Sequence, residues 1–244
     1  MGTVYMSLKL GRKPALFPAG LRDLTYYRAG SLPTPPASVA IPDIADWGML
    51  GNDSVGDCGV AGLQHGFMAD ATDTDHVEGF PTDQETVSYY LAYTSGQDDG
   101  VVLSQYLQYV QQSGYYGHTV TAYAPVTVSD IQTLQFAIDA YDFAYTGITV
   151  YSAMQTAFSN GQPWTMQTAA GKVAGGHCIP IVAYDDQYLY AVTWGAIQKI
   201  AYPAWNRIAD EAWAVITGEI NTAADDGHGI NLAALQADLA LLNG

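Results

Sequence analysis

The sequence predicts an α+β fold in which a helical lobe faces an antiparallel β lobe. The main ground is a single change in hydrophobic period. Apolar residues recur at helical spacing as far as about Ala137. From Phe143 onward the spacing is that of strands, rich in β-branched and aromatic residues. Helices first and strands later is the order of an α+β domain, not of alternating βαβ units. A chain of 244 residues, 49% of them hydrophobic, can also bury one sizeable core.

The elements follow in order. Residues 1–46 hold five of the eight basic residues and the run Leu32-Pro33-Thr34-Pro35-Pro36. Prolines at that density favour extended chain, so this stretch reads as an arm that lies along the domain or reaches a neighbour, or else as a loose terminus. The domain proper is 47–244. A helix opens at Cys58 and runs to about Asp70, and a second carries Val87, Tyr90 and Leu91 and stops at Gly96. A third repeats Val102, Leu103, Tyr106, Leu107 and Val110 and ends at Gly114. A strand is expected at 119–123, then a helix opening at Ser129 with Asp130 in its first turn. Strands are expected at 143–151, 179–184, 188–193, 198–202 and 212–217, with Asp185-Asp186-Gln187 as a hairpin turn. Pro203 starts a short helix. Leu232, Leu235, Leu239 and Leu242 define the core face of a last one.

Composition excludes several functions. The net charge of −16 repels phosphate backbones and argues against nucleic-acid binding. No apolar run is long enough to span a bilayer, and 1–10 lacks the h-region of a secretory signal, so the expected place is the cytoplasm of the producing cell. Two cysteines make no disulfide framework. Eighteen tyrosines suit either packed strands or contact with other proteins. No zinc-spaced Cys/His set and no phosphate-cradling loop is present, so neither metal nor cofactor is expected. The Asp73/Asp75/Glu78 cluster lacks the order of an EF-hand and reads as a solvated loop.

The chemistry centres on Cys58, which follows Asn52-Asp53-Ser54-Val55-Gly56-Asp57 at a helix N-terminus, where the dipole favours thiolate. Far downstream, Gly175-Gly176-His177 opens an apolar strand. A thiol and an imidazole are what a cysteine nucleophile and its base require. The plain alternatives are a buried packing cysteine and a core histidine. Cys178 should face away from His177, which argues against a Cys58–Cys178 disulfide. His65 lies two turns along the helix, about 10 Å away, too far to be the base. His118 reads as serving a turn or strand end.

Together, Asp57-Cys58-Gly59, Gly175-Gly176-His177 and Thr193-Trp194-Gly195 resemble the papain-like cysteine peptidase fold, two-lobed with Cys58 on the helical lobe and His177 on the β lobe. The run Gly51-Asn52-Asp53 to Gly56-Asp57-Cys58, with Trp194-Gly195-Ala196 and Pro203-Ala204-Trp205, resembles more closely a group of uncharacterised papain-like proteins of phages and bacteria. The resemblance covers residues 30–242. It implies Cys58 as nucleophile, His177 as base and Asn52 in the oxyanion-donor position, worth about 3 kcal/mol when aimed well. The asparagine that orients the histidine in that family is replaced by Val192, which cannot accept a hydrogen bond. Thr193, Asp185, Asp53 or a backbone carbonyl would have to serve. Trp194 is expected to wall the cleft beside His177, and Asp57 to line it. Two functions follow. One is thiol acyl chemistry on a peptide or amide substrate. The other is a non-catalytic, virion-associated structural protein (capsid or tail decoration) whose arm meets virion subunits or a second copy.

Overall fold

The computed structural model describes residues 8–74, 80–218 and 229–242. Among the described residues, seven α-helices accompany one six-stranded sheet of order β1-β6-β2-β3-β4-β5, in which every neighbouring pair is antiparallel. The helices are α1 (Cys58–Thr74), α2 (Asp83–Tyr93), α3 (Leu103–Ser113), α4 (Ile131–Tyr141), α5 (Ser152–Ser159), α6 (Tyr202–Ile208) and α7 (Leu232–Leu242). The strands are β1 (Val120–Pro125), β2 (Ala144–Tyr151), β3 (Val173–Tyr184), β4 (Tyr188–Thr193), β5 (Ala196–Ala201) and β6 (Ala209–Thr217). The predicted α+β class is the one found. Among the described residues no helix is long and apolar enough to cross a membrane.

Local chemistry explains the boundaries. Thr82 caps α2 in a reciprocal box with Glu85. Asp130 is the cap of α4 and accepts from Thr133 N, so that helix starts two residues after the predicted Ser129. Asp185 Oδ1 accepts from the backbone of Gln187 and Tyr188, which closes the predicted β3–β4 turn. Between β4 and β5, Trp194 and Gly195 both have positive φ (46° and 75°), the two-residue hairpin geometry. A bulky residue in that region is an outlier, and here it fixes where the indole points.

Helix α1 approaches the sheet closely because the residues facing it are glycines. Tyr145 Oη donates to Gly59 O at 2.7 Å, Gly62 lies against Cys178 and Gly66 against the ring of Phe143. The intervening residues, among them Val60, Leu63 and Phe67, are fully buried. Gly66→Val is therefore expected to lower stability by about 1–3 kcal/mol through overpacking. An unchanged urea midpoint would show that Phe143 yields without cost.

The arm lies along its own domain over the described residues. Phe17 stacks on Trp213, Asp23 accepts from the backbone and hydroxyl of Thr127, Tyr27 Oη donates to Asp238, and Val39 pairs with Tyr184. A four-residue 3-10 turn, Leu24–Tyr27, and helix α5 had not been expected. The side chains of the Asp73/Asp75/Glu78 cluster fall outside the described residues.

Candidate active site

Cys58 is the first residue of α1 and is fully buried. Its Sγ lies 3.4 Å from the backbone nitrogen of Cys178, the residue after His177 on β3. The N-terminus of α1 thus meets β3 at the residue that follows His177, 120 positions from Cys58. Cys178 faces α1 at Gly62, and both cysteines are free thiols.

His177 is held on two sides. Its Nε2 is 2.8 Å from Thr193 Oγ1. Its ring stacks on the Trp194 indole at 4.5 Å between centroids and 17° between planes. Nδ1 is buried and has no hydrogen-bond partner. Of the four orienting groups considered from sequence, Thr193 is the one in place. Asp185 is occupied by the β3–β4 turn and by Tyr190 Oη, and Asp53 is exposed. A hydroxyl can accept from Nε2–H, which leaves Nδ1 as a lone pair.

Asn52 is buried in the loop before α1, and its amide donates to Asp57 Oδ1 at 3.1 Å and to Val55 O at 3.4 Å. Both amide hydrogens are thus directed at acceptors of its own loop. Asp57 is fully buried with Oδ2 unpartnered, and burial pushes its carboxyl up to about 8. His65 does not join the pair. Its Nε2 lies 2.9 Å from Trp47 O and 3.1 Å from Gly48 O, and burial holds its pKa near 4. His118 is stacked on Phe67 and Phe80, next to the Tyr115–His118 bridge.

What the sequence did not reveal is that the arm fills the cleft. Residues 8–13 pass between the lobes and bond to both. Lys9 N donates to Asn52 O, and Trp194 Nε1 to Lys9 O. Gly11 O accepts from Val101 N, Arg12 N donates to Gly176 O, and Lys13 N donates to Val101 O. The Gly11 backbone lies close enough to Cys58 to lower its pKa, against the larger effect of burial. Gly11 fits because it has no side chain, since a β-carbon there would overlap Gly56 O.

The covered site is electrostatically silent. Burial pushes the Cys58 thiol up to about 12, with the Asp57 carboxyl adding to the rise. Burial, with Arg12 and His65 nearby, holds His177 down at about 3. The sequence had pointed to a dipole-favoured thiolate. Under the arm, loss of solvent outweighs the dipole, and the pair is neutral thiol and neutral imidazole.

The fold is that of the papain-like cysteine proteases. Among solved structures the chain is similar to xylellain, a cysteine protease from Xylella fastidiosa, with a TM-score of 0.65 and 14% identity over 86% of this chain and 96% of that one. It is also similar to digestive procathepsin L 3 of Tenebrio molitor larval midgut, with a TM-score of 0.60 and 14% identity over 87% of this chain and 77% of that one. No family model and no curated protein matches the chain.

Proposed function

We propose that the protein hydrolyses peptide or amide bonds through a Cys58 acyl-enzyme and is latent while residues 8–13 lie in the cleft. The observation that carries this reading is His177. Its imidazole is clamped by Thr193 and Trp194, with Nδ1 left unpartnered one residue from the strand nitrogen that touches Cys58 Sγ. The cysteine protease fold of the structural neighbours supports it.

In the open cleft, Cys58 passes its proton to His177 Nδ1 and the sulfur attacks the carbonyl carbon, moving a bonding pair onto oxygen. The Cys58 backbone N–H, at the helix N-terminus, meets that oxyanion. Asn52 is the second donor, exchanging Asp57 Oδ1 or Val55 O for the substrate oxygen. Collapse breaks the C–N bond, and the amine leaves with the proton from His177. Water then gives a proton to His177 and attacks the thioester, releasing the acid and restoring the thiol.

The test is hydrolysis of a quenched peptide library in a Gly11→Val background. Cys58→Ala and His177→Ala are expected to fall to background. Thr193→Val should lose about tenfold in kcat with Thr193→Ser near parent, the scale of one neutral hydrogen bond. Turnover that survives Cys58→Ala would sink the reading. A second reading, a phage virion component that keeps the scaffold without turnover, draws support from the complete burial of Cys58. It predicts no hydrolysis in any variant and co-purification with particles.

A further inference from the structure

Besides its main-chain bonds, the arm is anchored at the cleft by the side chain of Arg12, which is only 6% exposed. Its guanidinium pairs with Glu211 Oε1 at 3.1 Å and with Asp210, and donates to Ile148 O at 3.3 Å. Glu211 is completely buried in β6, and its other oxygen accepts from Trp213 Nε1 at 2.9 Å. Asp210 is braced by Thr149 Oγ1 at 2.9 Å. The space is shaped for this occupant. A β-carbon on Gly147 would overlap both the Arg12 stem and Glu211, and one on Gly176 would overlap Arg12 O. A recess of about 480 Å³, lined by Arg12 itself with Pro14, Thr149, Val173, Gly176 and Asp210, opens beside the guanidinium.

Arg12 belongs to the segment that covers Cys58. Lifting that segment takes the guanidinium away from Glu211 and Asp210 and leaves both carboxylates without their basic partner. The domain offers few substitutes, and Lys172, exposed beside the recess-lining Val173, is a point donor without the fork. Residues 47–244 contain three basic residues against twenty-one acidic ones. Of the three, Lys199 lies over Tyr188 and Tyr190, and Arg207 donates to Ala169 O. A cation carried by the substrate would restore the pairing. A guanidinium matches the paired carboxylates and the Ile148 carbonyl together, whereas an ammonium is a point donor that cannot reproduce the fork.

We propose that the Glu211/Asp210 recess is a recognition subsite for an arginine side chain, so that the thiol site acts on peptides carrying arginine next to the residue lying over Cys58. The proposal rests on the peptide-hydrolysis reading above for its catalytic consequence, but its binding consequence stands alone. The Arg12 segment then holds the cleft by occupying the site its substrates use.

The experiment is fluorescence anisotropy with the full chain carrying Cys58→Ser and Arg12→Ala, which empties the recess and prevents turnover. The probes are labelled Leu-Lys-Leu-Gly-Arg-Lys and the same peptide with citrulline, a neutral isostere, in place of arginine. The arginine peptide is expected to bind at least about tenfold tighter, and adding Glu211→Gln should abolish the difference. Equal affinities, or a preference that survives Glu211→Gln, would overturn the subsite. If Arg12→Ala does not fold, Arg12→Lys keeps a cation over Glu211. The arginine peptide should then displace the lysine arm and the citrulline peptide should not; equal displacement overturns the proposal. Arginine-selective binding with no cleavage by the Cys58 protein would keep the subsite and sink the hydrolase. Cleavage indifferent to arginine would do the reverse.

Discussion

Replacing Gly11 with valine is expected to raise the rate of Cys58 alkylation by iodoacetamide at pH 7 by about a thousandfold or more. The β-carbon cannot coexist with Gly56 O, so the segment from Leu8 to Lys13 must lift. Lifting removes the cause that dominates the thiol's shift, its burial. A pKa falling from about 12 towards the ordinary value near ~8.5 raises the thiolate fraction at pH 7 by roughly three orders of magnitude. Solvation also lets His177 take up a proton, because its depression is likewise led by burial. The pair can then exist as thiolate and imidazolium, and labelling should extend well below pH 8. Cys178→Ser supplies the background. The steep low-pH rate should collapse in Gly11→Val/His177→Ala, which would assign it to the imidazole. An unchanged rate in Gly11→Val would mean that the domain, not the arm, buries the thiol, and latency through residues 8–13 would be wrong.

The sequence exposed what side-chain pattern encodes and hid what backbone contacts and long-range partners decide. Helix α7 and strand β4 were legible to the residue, because the leucine spacing and the Asp185 turn are local signals. Cys58 was legible from its place at the head of α1, and His177 from the two glycines before it, although β3 carries the histidine inside the strand and not at its start. Strand β3 begins six residues earlier than its apolar run, at Val173. Its glycine-rich start has no strand propensity and is carried by pairing with β2, with Thr149 opposite Gly176. Helix α5 lies between a strand and the Gly161-Gln162-Pro163 break, and no side-chain cap hydrogen bond marks its start. Thr193 could be proposed but not chosen, since the choice depends on how β4 registers beside β3. The arm's seat was out of reach altogether. Gly11, Arg12 and Lys13 bond largely through main-chain groups, and Arg12 finds Glu211 at a separation of 199 residues.

Asp57→Asn is expected to remove the protein's loss of stability as the pH rises towards 8. In the folded chain the Asp57 carboxyl keeps its proton up to about 8, chiefly because it is buried, with Asp98 and Asp53 adding to the rise. In the unfolded chain it ionises near its ordinary 3.8. Between those values the folded state binds the extra proton, so stability is greatest below 3.8 and is lost as pH rises through 8. The whole span corresponds to at most about 6 kcal/mol. His65 and His177 act in the opposite direction. Both are held neutral by burial, so their contribution is present above the ordinary 6.5 and is lost as pH falls towards 4 and 3. Asparagine caps a helix about as well as aspartate and can still accept from the Asn52 amide, so Asp57→Asn removes the titration and little else. Chemical denaturation at pH 5 and pH 8 is the measurement. The variant should gain on the parent by several kcal/mol more at pH 8 than at pH 5, and its remaining pH dependence should be the acid limb of the two histidines. Parallel losses in parent and variant between those pH values would show that Asp57 is ionised in the folded protein. The carboxyl beside Cys58 would then oppose a thiolate there, and the open site would depend the more on His177 to balance its charge.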